Sequence, residues 1–479
     1  MPKRLLEIFG SAEKPLIRLS TNHRSTAYVA LSYCWGADQP AKTTTANLHD
    51  YLSEIPFDTL PLTIQHAAIV TRGIGLSNLW VDAMCIVQDD EEDKLGEISQ
   101  MHAIYRNSWV TIAAAEARTC NDGFLQPRSD WQPVKMKARF DDNVFSEVTM
   151  FPRGQSCRPD APLFQRGWTM QETLLSTRVL LYGARELTFL CMQDEQSEGG
   201  VPPTVRQYQM LFDPGSNTYV GMDHPESWGY LVSAYSQRKL SLEDDKLLGI
   251  GALAASYGRT KNTKEYFAGM WKENFLQQCL WTTQTYTSGD RVPRRPAKYR
   301  APSWSWASTE GQVSSFGVSA NMPAMMLPET MPPITTCEIV DLEVKTVPAG
   351  NPFGMVTDGH LKIRGKLRQI VWYNSGWSLD GYVYPLRDTD EPQLNERGRR
   401  VNPGMTVQID HPKDWPLGEE ILLWSLEICK TSEGQGYALL LNEAGGHNET
   451  FQRVGRLNVI ERTNNWFDTE HELREIKIV

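Results

Sequence analysis

The stretch Tyr28-Val-Ala-Leu-Ser-Tyr-Cys-Trp-Gly36 (YVALSYCWG) decides how the first part of this chain is read. Ala27 to Tyr33 is short, apolar and rich in β-branched and aromatic side chains, which predicts a buried strand. It ends on a polar, thiol-bearing tip. Fifty residues on, Leu79-Trp-Val-Asp-Ala-Met-Cys-Ile-Val-Gln-Asp-Asp90 repeats that grammar, with a strand expected over residues 79–82. Between them, Leu62 to Gly73 follows Pro61 and carries apolar residues at Leu62, Ile64, Ala68 and Ile69, the pattern of a helix with proline at its start and glycine at its end. Residues 89–105 open on an acidic run suited to a helix N-terminus, with Leu95, Ile98, Met101, Ile104 and Tyr105 as one stripe. Trp109 to Ala115 reads as a third strand.

Strand, helix, strand, helix, strand predicts an α/β domain with a parallel, doubly wound sheet. Ligands of such sheets sit outside the carboxyl ends of the strands. The two polar tips are therefore expected side by side, placing Ser32, Tyr33, Cys34 and Trp35 near Asp82, Cys85 and Gln88.

Further on, Leu163 to Leu175 reads as a loop entering a helix, and Arg178–Tyr182 with Glu186–Cys191 as a hairpin around Gly183. Residues 193–225 are polar and hold Gly199-Gly200 and Pro202-Pro203, the texture of a long surface loop. Residues 226–283 look helical, and residues 285–334 irregular. From Cys337 the pattern becomes short alternating strands, predicting a small antiparallel β domain closed by the last strand. The expected division is an α/β domain at 1–192, a mostly helical segment with an irregular linker at 193–334, and a β-rich domain at 335–479.

The chain has 479 residues, 48 basic against 58 acidic, and a formal charge of −10. That balance argues against a dedicated nucleic-acid binder. No apolar run is long enough to span a bilayer. The eight cysteines are irregularly placed, without a CxxC pair or clustered histidines, so neither a disulfide scaffold nor a zinc site is expected. The reading is a reduced, cytoplasmic protein without a metal. The acidic run Asp89 to Asp93 is contiguous rather than spaced as a calcium loop.

Three blocks then carry a resemblance: YVALSYCWG; LWVDAMCIVQDDEEDK followed by MHAIYRNSWVTIAAA; and RGWTMQETLLSTRVLLY. In this order they resemble the fungal heterokaryon incompatibility (HET) domain family, over roughly residues 25–175. Downstream, SAYSQRKLSLEDDKLLGIGALA, YFAGMW and YRAPSWSWAS look like the extended architecture of long family members. The resemblance implies a fungal cytosolic protein linked to self/non-self recognition and programmed cell death; some members lie near secondary-metabolite genes. A more distant likeness is to the Toll/interleukin-receptor (TIR) plan, a flavodoxin-like sheet in which enzymatic members use a helix glutamate to cleave NAD. Glu172, four residues after Trp168, is the matching position.

Each candidate has two readings. Glu172 can stabilise an oxocarbenium-like centre or orient a ribose hydroxyl, or can pair with Arg166 or Arg178. Cys85, at a strand-to-helix turn, can be an activated nucleophile or a space-filling thiol. Asp82 can bind a ligand hydroxyl or accept backbone N–H bonds from its own turn. Trp35 and Trp168 can stack on a flat ring such as adenine or nicotinamide, or join the core. Gly36 fits a turn of positive φ or a close approach to phosphate. No GxGxxG or GxxxxGK[ST] loop is present. Three functions stay open: an incompatibility effector that binds or cleaves a nucleotide such as NAD, alone or as a homo-oligomer or with an effector partner; a secondary-metabolite enzyme using Cys85 or Asp82; and a non-catalytic interaction module. NAD enters only as a substrate; no resident cofactor is expected.

Overall fold

The computed structural model describes residues 1–11, 15–21, 27–36, 39–127, 134–141, 144–150, 161–184, 186–191, 195–198, 227–283, 292–314, 334–374, 382–385, 393–394, 400–401, 405–430, 435–445, 449–460 and 473–479. Most of the polar stretch 193–225 and of the irregular stretch 285–334 lies outside them. The chain divides into two units, Met1–Asn217 and Thr218–Val479.

The first unit is built on an eight-stranded sheet. A hairpin opens it: β1 (Leu5–Gly10) and β2 (Pro15–Ser20) pair antiparallel. Then come β3 (Val29–Ser32), α1 (Leu48–Ser53), α2 (Leu62–Gly73), β4 (Asn78–Trp80), the single turn α3 (Asp82–Cys85), α4 (Glu91–Asn107) and β5 (Val110–Ala114). A separate ribbon of β6 (Val134–Asp141) and β7 (Val144–Met150) precedes α5 (Trp168–Leu174). β8 (Arg178–Tyr182), β9 (Leu187–Cys191) and β10 (Glu195–Ser197) complete the sheet.

The strand order is β10-β9-β8-β5-β3-β4-β1-β2. β4, β3, β5 and β8 are mutually parallel, and the flanking pairs are antiparallel. Every residue of β3 and β5 is buried, as expected of central strands covered on both faces. The chain leaves β3 to one side for β4 and then crosses back for β5. By the right-handed crossover rule α2 and α4 therefore cover opposite faces, and the order reverses at β3.

Asp90 caps α4, accepting from the Glu92 and Asp93 N–H groups. The inward face of α4 differs from the expected stripe. Leu95 is 65% exposed, whereas Asp93 and Glu97 are buried with Met101, Ile104 and Tyr105. Charge overrides hydropathy here: Asp93 takes up Lys3, Arg4 and the Val87 N–H, and Glu97 accepts the Lys3 N–H. On α2 the buried residues are Thr63, Ile64, Ala67, Ala68 and Thr71, while Leu62 and Ile69 face outward.

The second unit starts with α6 (Ser227–Ser236) and α7 (Leu248–Lys261). The expected helix over 265–281 is instead a short ribbon, β11 (Tyr266–Phe267) and β12 (Met270–Trp271), followed by α8 (Phe275–Gln278). Ala268 and Gly269 both have positive φ, which turns the chain into a hairpin. β13 (Thr282–Thr283) pairs with β14 (Val313–Ser314). The β-rich part holds β15 (Ile334–Thr335), β16 (Glu338–Val347), β17 (Met355–Tyr373), β18 (Tyr382–Pro385), β19 (Gln393–Leu394), β20 (Arg400–Val401), β21 (Met405–Ile409), β22 (Glu420–Lys430), β23 (Gln435–Glu443), β24 (Thr450–Ile460) and β25 (Leu473–Ile478). β17, β22, β23, β24 and β25 pair in sequence, and β25 returns to β17, so these strands close a ring. β24 and β25 pair in parallel; the other ring pairs are antiparallel. Among the described residues, no helix is long and apolar enough to cross a membrane.

Candidate functional site

β3 ends on Ser32, where the strand order reverses. Its successors Tyr33, Cys34 and Trp35 leave the sheet over the carboxyl ends of the neighbouring strands. Glu172 reaches the same place from the middle of α5. Ser32 Oγ donates to Glu172 Oε2 at 2.6 Å, both side chains buried. The Tyr105 hydroxyl on α4 donates to the Leu31 carbonyl at 3.0 Å and contributes to the electrostatic surroundings of Glu172. Burial pushes the Glu172 carboxyl up to about 7, and the nearby Asp82 charge adds to that; Arg166, Ser32 and Tyr105 pull the other way.

Asp82 is the first residue of α3 rather than the end of a strand, because β4 stops at Trp80 and Val81 caps the turn. Its carboxylate accepts the Trp35 indole N–H at 3.1 and 3.0 Å and the Ala83 N–H at 2.7 Å. Burial raises its pKa, with Arg166 and the surrounding donors opposing. Arg166 donates to the Tyr33 carbonyl and sits in the field of Glu172, Cys34 and Asp82 together. One guanidinium thus balances two carboxylates, one of which exchanges its proton near neutrality.

The remaining predicted residues fall into different places. Tyr33 is 2% exposed and its hydroxyl accepts from the Gln39 amide at 2.6 Å. Cys34 is buried beside Arg166, its thiol raised by burial. Gly36 has φ +86°, and a Cβ there would meet the Thr119 side chain at 2.9 Å. The positive-φ turn expected of it is present, and its close neighbour is the Thr119 side chain. Trp35 and Trp168 are half-buried against the core. Gln88 turns inward: its amide donates to the Asp82 and Ile86 carbonyls at 3.1 and 3.2 Å, tying down the end of α3. Arg178 stacks on Trp109 and donates to its carbonyl, so it is Arg166 that shares the site with Glu172.

Cys85 stands apart. It is fully buried, its Sγ accepts the Val81 N–H at 3.4 Å, and burial pushes the thiol up to about 12. A thiol held protonated inside a turn has the chemistry of a packing group. Gln39 and Tyr105 are the residues that sequence reasoning did not place here. Tyr105 stands on the expected apolar stripe of α4, where a buried hydroxyl must find a partner; that requirement is the only signal. Among the described residues, no three His, Cys, Asp or Glu side chains gather as a metal site. No disulfide joins the seven described cysteines to one another; Cys157 lies outside the described residues.

Chemically, the cluster offers a proton-exchanging carboxylate (Glu172), a donor-ringed carboxylate (Asp82), a hydroxyl (Ser32), a cation (Arg166) and two half-exposed indoles. Residues 28–172 match the family model described as heterokaryon incompatibility protein (HET). This stretch is a heterokaryon incompatibility domain; it runs from the start of β3 to Glu172 itself. Neither a curated protein nor a solved structure matches the chain.

Proposed function

We propose that the heterokaryon incompatibility domain is an effector module that binds and cleaves a nucleotide such as NAD, with Glu172 as its working carboxylate. The observation that carries this reading is the buried Ser32–Glu172 hydrogen bond at the reversal point of the sheet, with Asp82 and Arg166 beside it. The distant TIR-like order of sequence blocks supports it as analogy. In this reading the C1′–N bond to nicotinamide breaks, and its electron pair leaves with the neutral base. Ionised Glu172 stabilises the oxocarbenium-like ribosyl centre. Water adds to that centre and releases a proton, giving ADP-ribose. Ser32 and Arg166 orient the Glu172 carboxylate. Trp35 and Trp168 supply aromatic faces for the bases.

The test is mass spectrometry of NAD incubated with the full chain, beside Glu172→Gln. We expect turnover that rises through about pH 7 as Glu172 ionises, and a loss of about 100-fold or more in the variant. Absence of turnover and binding in the wild type, or equal turnover in the variant, removes the nucleotide reading.

A further inference from the structure

α5 buries four polar side chains: Thr169, Gln171, Glu172 and Thr173. Three of them are satisfied inside the fold. Thr169 Oγ1 donates to the Leu163 and Arg166 carbonyls at 2.5 and 3.0 Å, and Thr173 Oγ1 donates to the Thr169 carbonyl at 2.9 Å. Glu172 accepts the Ser32 hydroxyl at 2.6 Å. Gln171 is the exception. It is 2% exposed, and its Oε1 is shut away from solvent with no hydrogen-bond partner among the described residues. A buried carbonyl oxygen without a donor costs free energy that no contact of the resting protein returns. A methionine would fill much the same volume without that cost.

The helix sets this side chain next to the site. Trp168 has Gln171 three residues on and Glu172 four residues on, the two spacings at which helical side chains are neighbours. The three residues therefore share one patch of α5, with Trp168 as the common neighbour of the carboxamide and the carboxyl. What the patch lacks is a donor to Gln171.

We propose that Gln171 is a specificity-determining residue of this site: its unpartnered carbonyl oxygen accepts the amide N–H of a nicotinamide ring held beside Glu172. The inference rests on the reading of this cluster as a nucleotide site. In that reading Glu172 faces the ribosyl C1′, so the base joined to C1′ lies at the same patch. The carboxamide supplies that base's N–H donor; the adenine amine is at the far end of the dinucleotide. A ligand carboxylate in its place would offer Oε1 no donor and would add a negative charge beside Glu172 and Asp82.

The probes are NAD and 3-acetylpyridine adenine dinucleotide, whose methyl ketone keeps the carbonyl of the carboxamide and loses its N–H. Dissociation constants are measured by calorimetry on the full chain at pH 5, where protonated Glu172 keeps turnover low. Wild type is expected to bind NAD about tenfold tighter than the analogue, the worth of one buried hydrogen bond. Gln171→Met cannot accept. In it NAD binding should weaken about tenfold and analogue binding should not change, while the denaturant midpoint of the ligand-free variant stays at or above that of wild type. Gln171→Leu carries the same test if the methionine variant fails to fold. Equal affinity for the two dinucleotides in wild type overturns the proposal without any variant, and the nucleotide reading stands. A preference for NAD that survives in Gln171→Met overturns it too, and a lowered midpoint beside that surviving preference makes Gln171 a structural residue. Binding of neither dinucleotide to wild type removes this inference together with the nucleotide reading.

Discussion

Glu172 is a 4% exposed carboxyl whose proton is retained to about pH 7. That has a consequence for stability independent of any substrate. An unfolded glutamate titrates near 4.5, so the native state binds the proton more tightly than the unfolded state. The stabilising contribution is therefore fully present below about pH 4.5 and is lost as pH rises through about 7. Across that window the wild type should lose on the order of 3 kcal/mol that Glu172→Gln does not lose, at about 1.4 kcal/mol per pH unit. Urea denaturation of both proteins at pH 5, 6, 7 and 8 measures it; parallel curves would mean that Glu172 is ionised in the fold at all of these pH values. At this scale the sequence showed that the tips of β3 and β4 are polar where the runs before them are apolar. It did not show which way each tip side chain turns. Asp82 and Cys85 are three residues apart on one helical turn, yet one meets Trp35 and the other meets the Val81 N–H. Spacing on so short a turn is silent on direction.

At the scale of elements, the parallel strands were readable because fully buried strands are short apolar runs bounded by polar residues. Helix faces were less readable. Leu62 and Ile69 point outward from α2, while Thr63 and Thr71 are buried, the latter satisfying its hydroxyl on the Ala67 carbonyl at 2.7 Å. Threonine can be buried wherever its own helix supplies an acceptor, so a hydropathy stripe misplaces the face. The opening hairpin β1–β2 was missed because it adds antiparallel strands before the alternating pattern begins. α2 also holds the loop that follows β5. His66 Nδ1 accepts from the Phe124 and Leu125 N–H groups at 2.9 and 3.1 Å, and Thr63 Oγ1 accepts from Gly123 at 3.0 Å. Gly123 has φ +69°, and a Cβ there would stand 2.6 Å from the His66 ring. Gly123→Ala must therefore strain the backbone and displace His66, and it should destabilise by about 2–3 kcal/mol. Gly73→Ala, with nothing within 4 Å of the new methyl, should be neutral or gain up to about 1 kcal/mol. Denaturation midpoints of the two variants decide this; equal effects would mean that the His66 clasp adds nothing.

At the scale of the whole molecule, the two units rest on separate cores, one around β3–β5 and one inside the ring of β17 and β22–β25. The second was legible as β-rich from its alternating strands. Its closure was not, because pairing between β17 and β25 joins residues about a hundred positions apart. Nor was the group that ties its ring to the preceding segment. Arg453 on β24 is 1% exposed; it donates to Asp410 and to the Cys279 and Trp281 carbonyls, and its guanidinium lies 3.5 Å from the Trp281 ring centroid. Nothing in the pattern RVGRLNVIE marks the first arginine as interior, since strand alternation assigns a charged residue to the outside. Replacing it by methionine fills much of the volume but leaves Asp410 buried without its cation and two carbonyls without donors. Asp410, already pushed up to about 6 by burial, would then hold its proton at higher pH. The loss should be about 3–5 kcal/mol, the cost of breaking rather than replacing a buried pair. Hydrogen exchange read by mass spectrometry should show that loss in β22–β24, with β3 and β5 keeping wild-type protection, because domains with their own cores open separately. If β3 and β5 lost protection equally, the two cores would be one cooperative unit, and Arg453 would stabilise the α/β sheet as much as the ring that contains it.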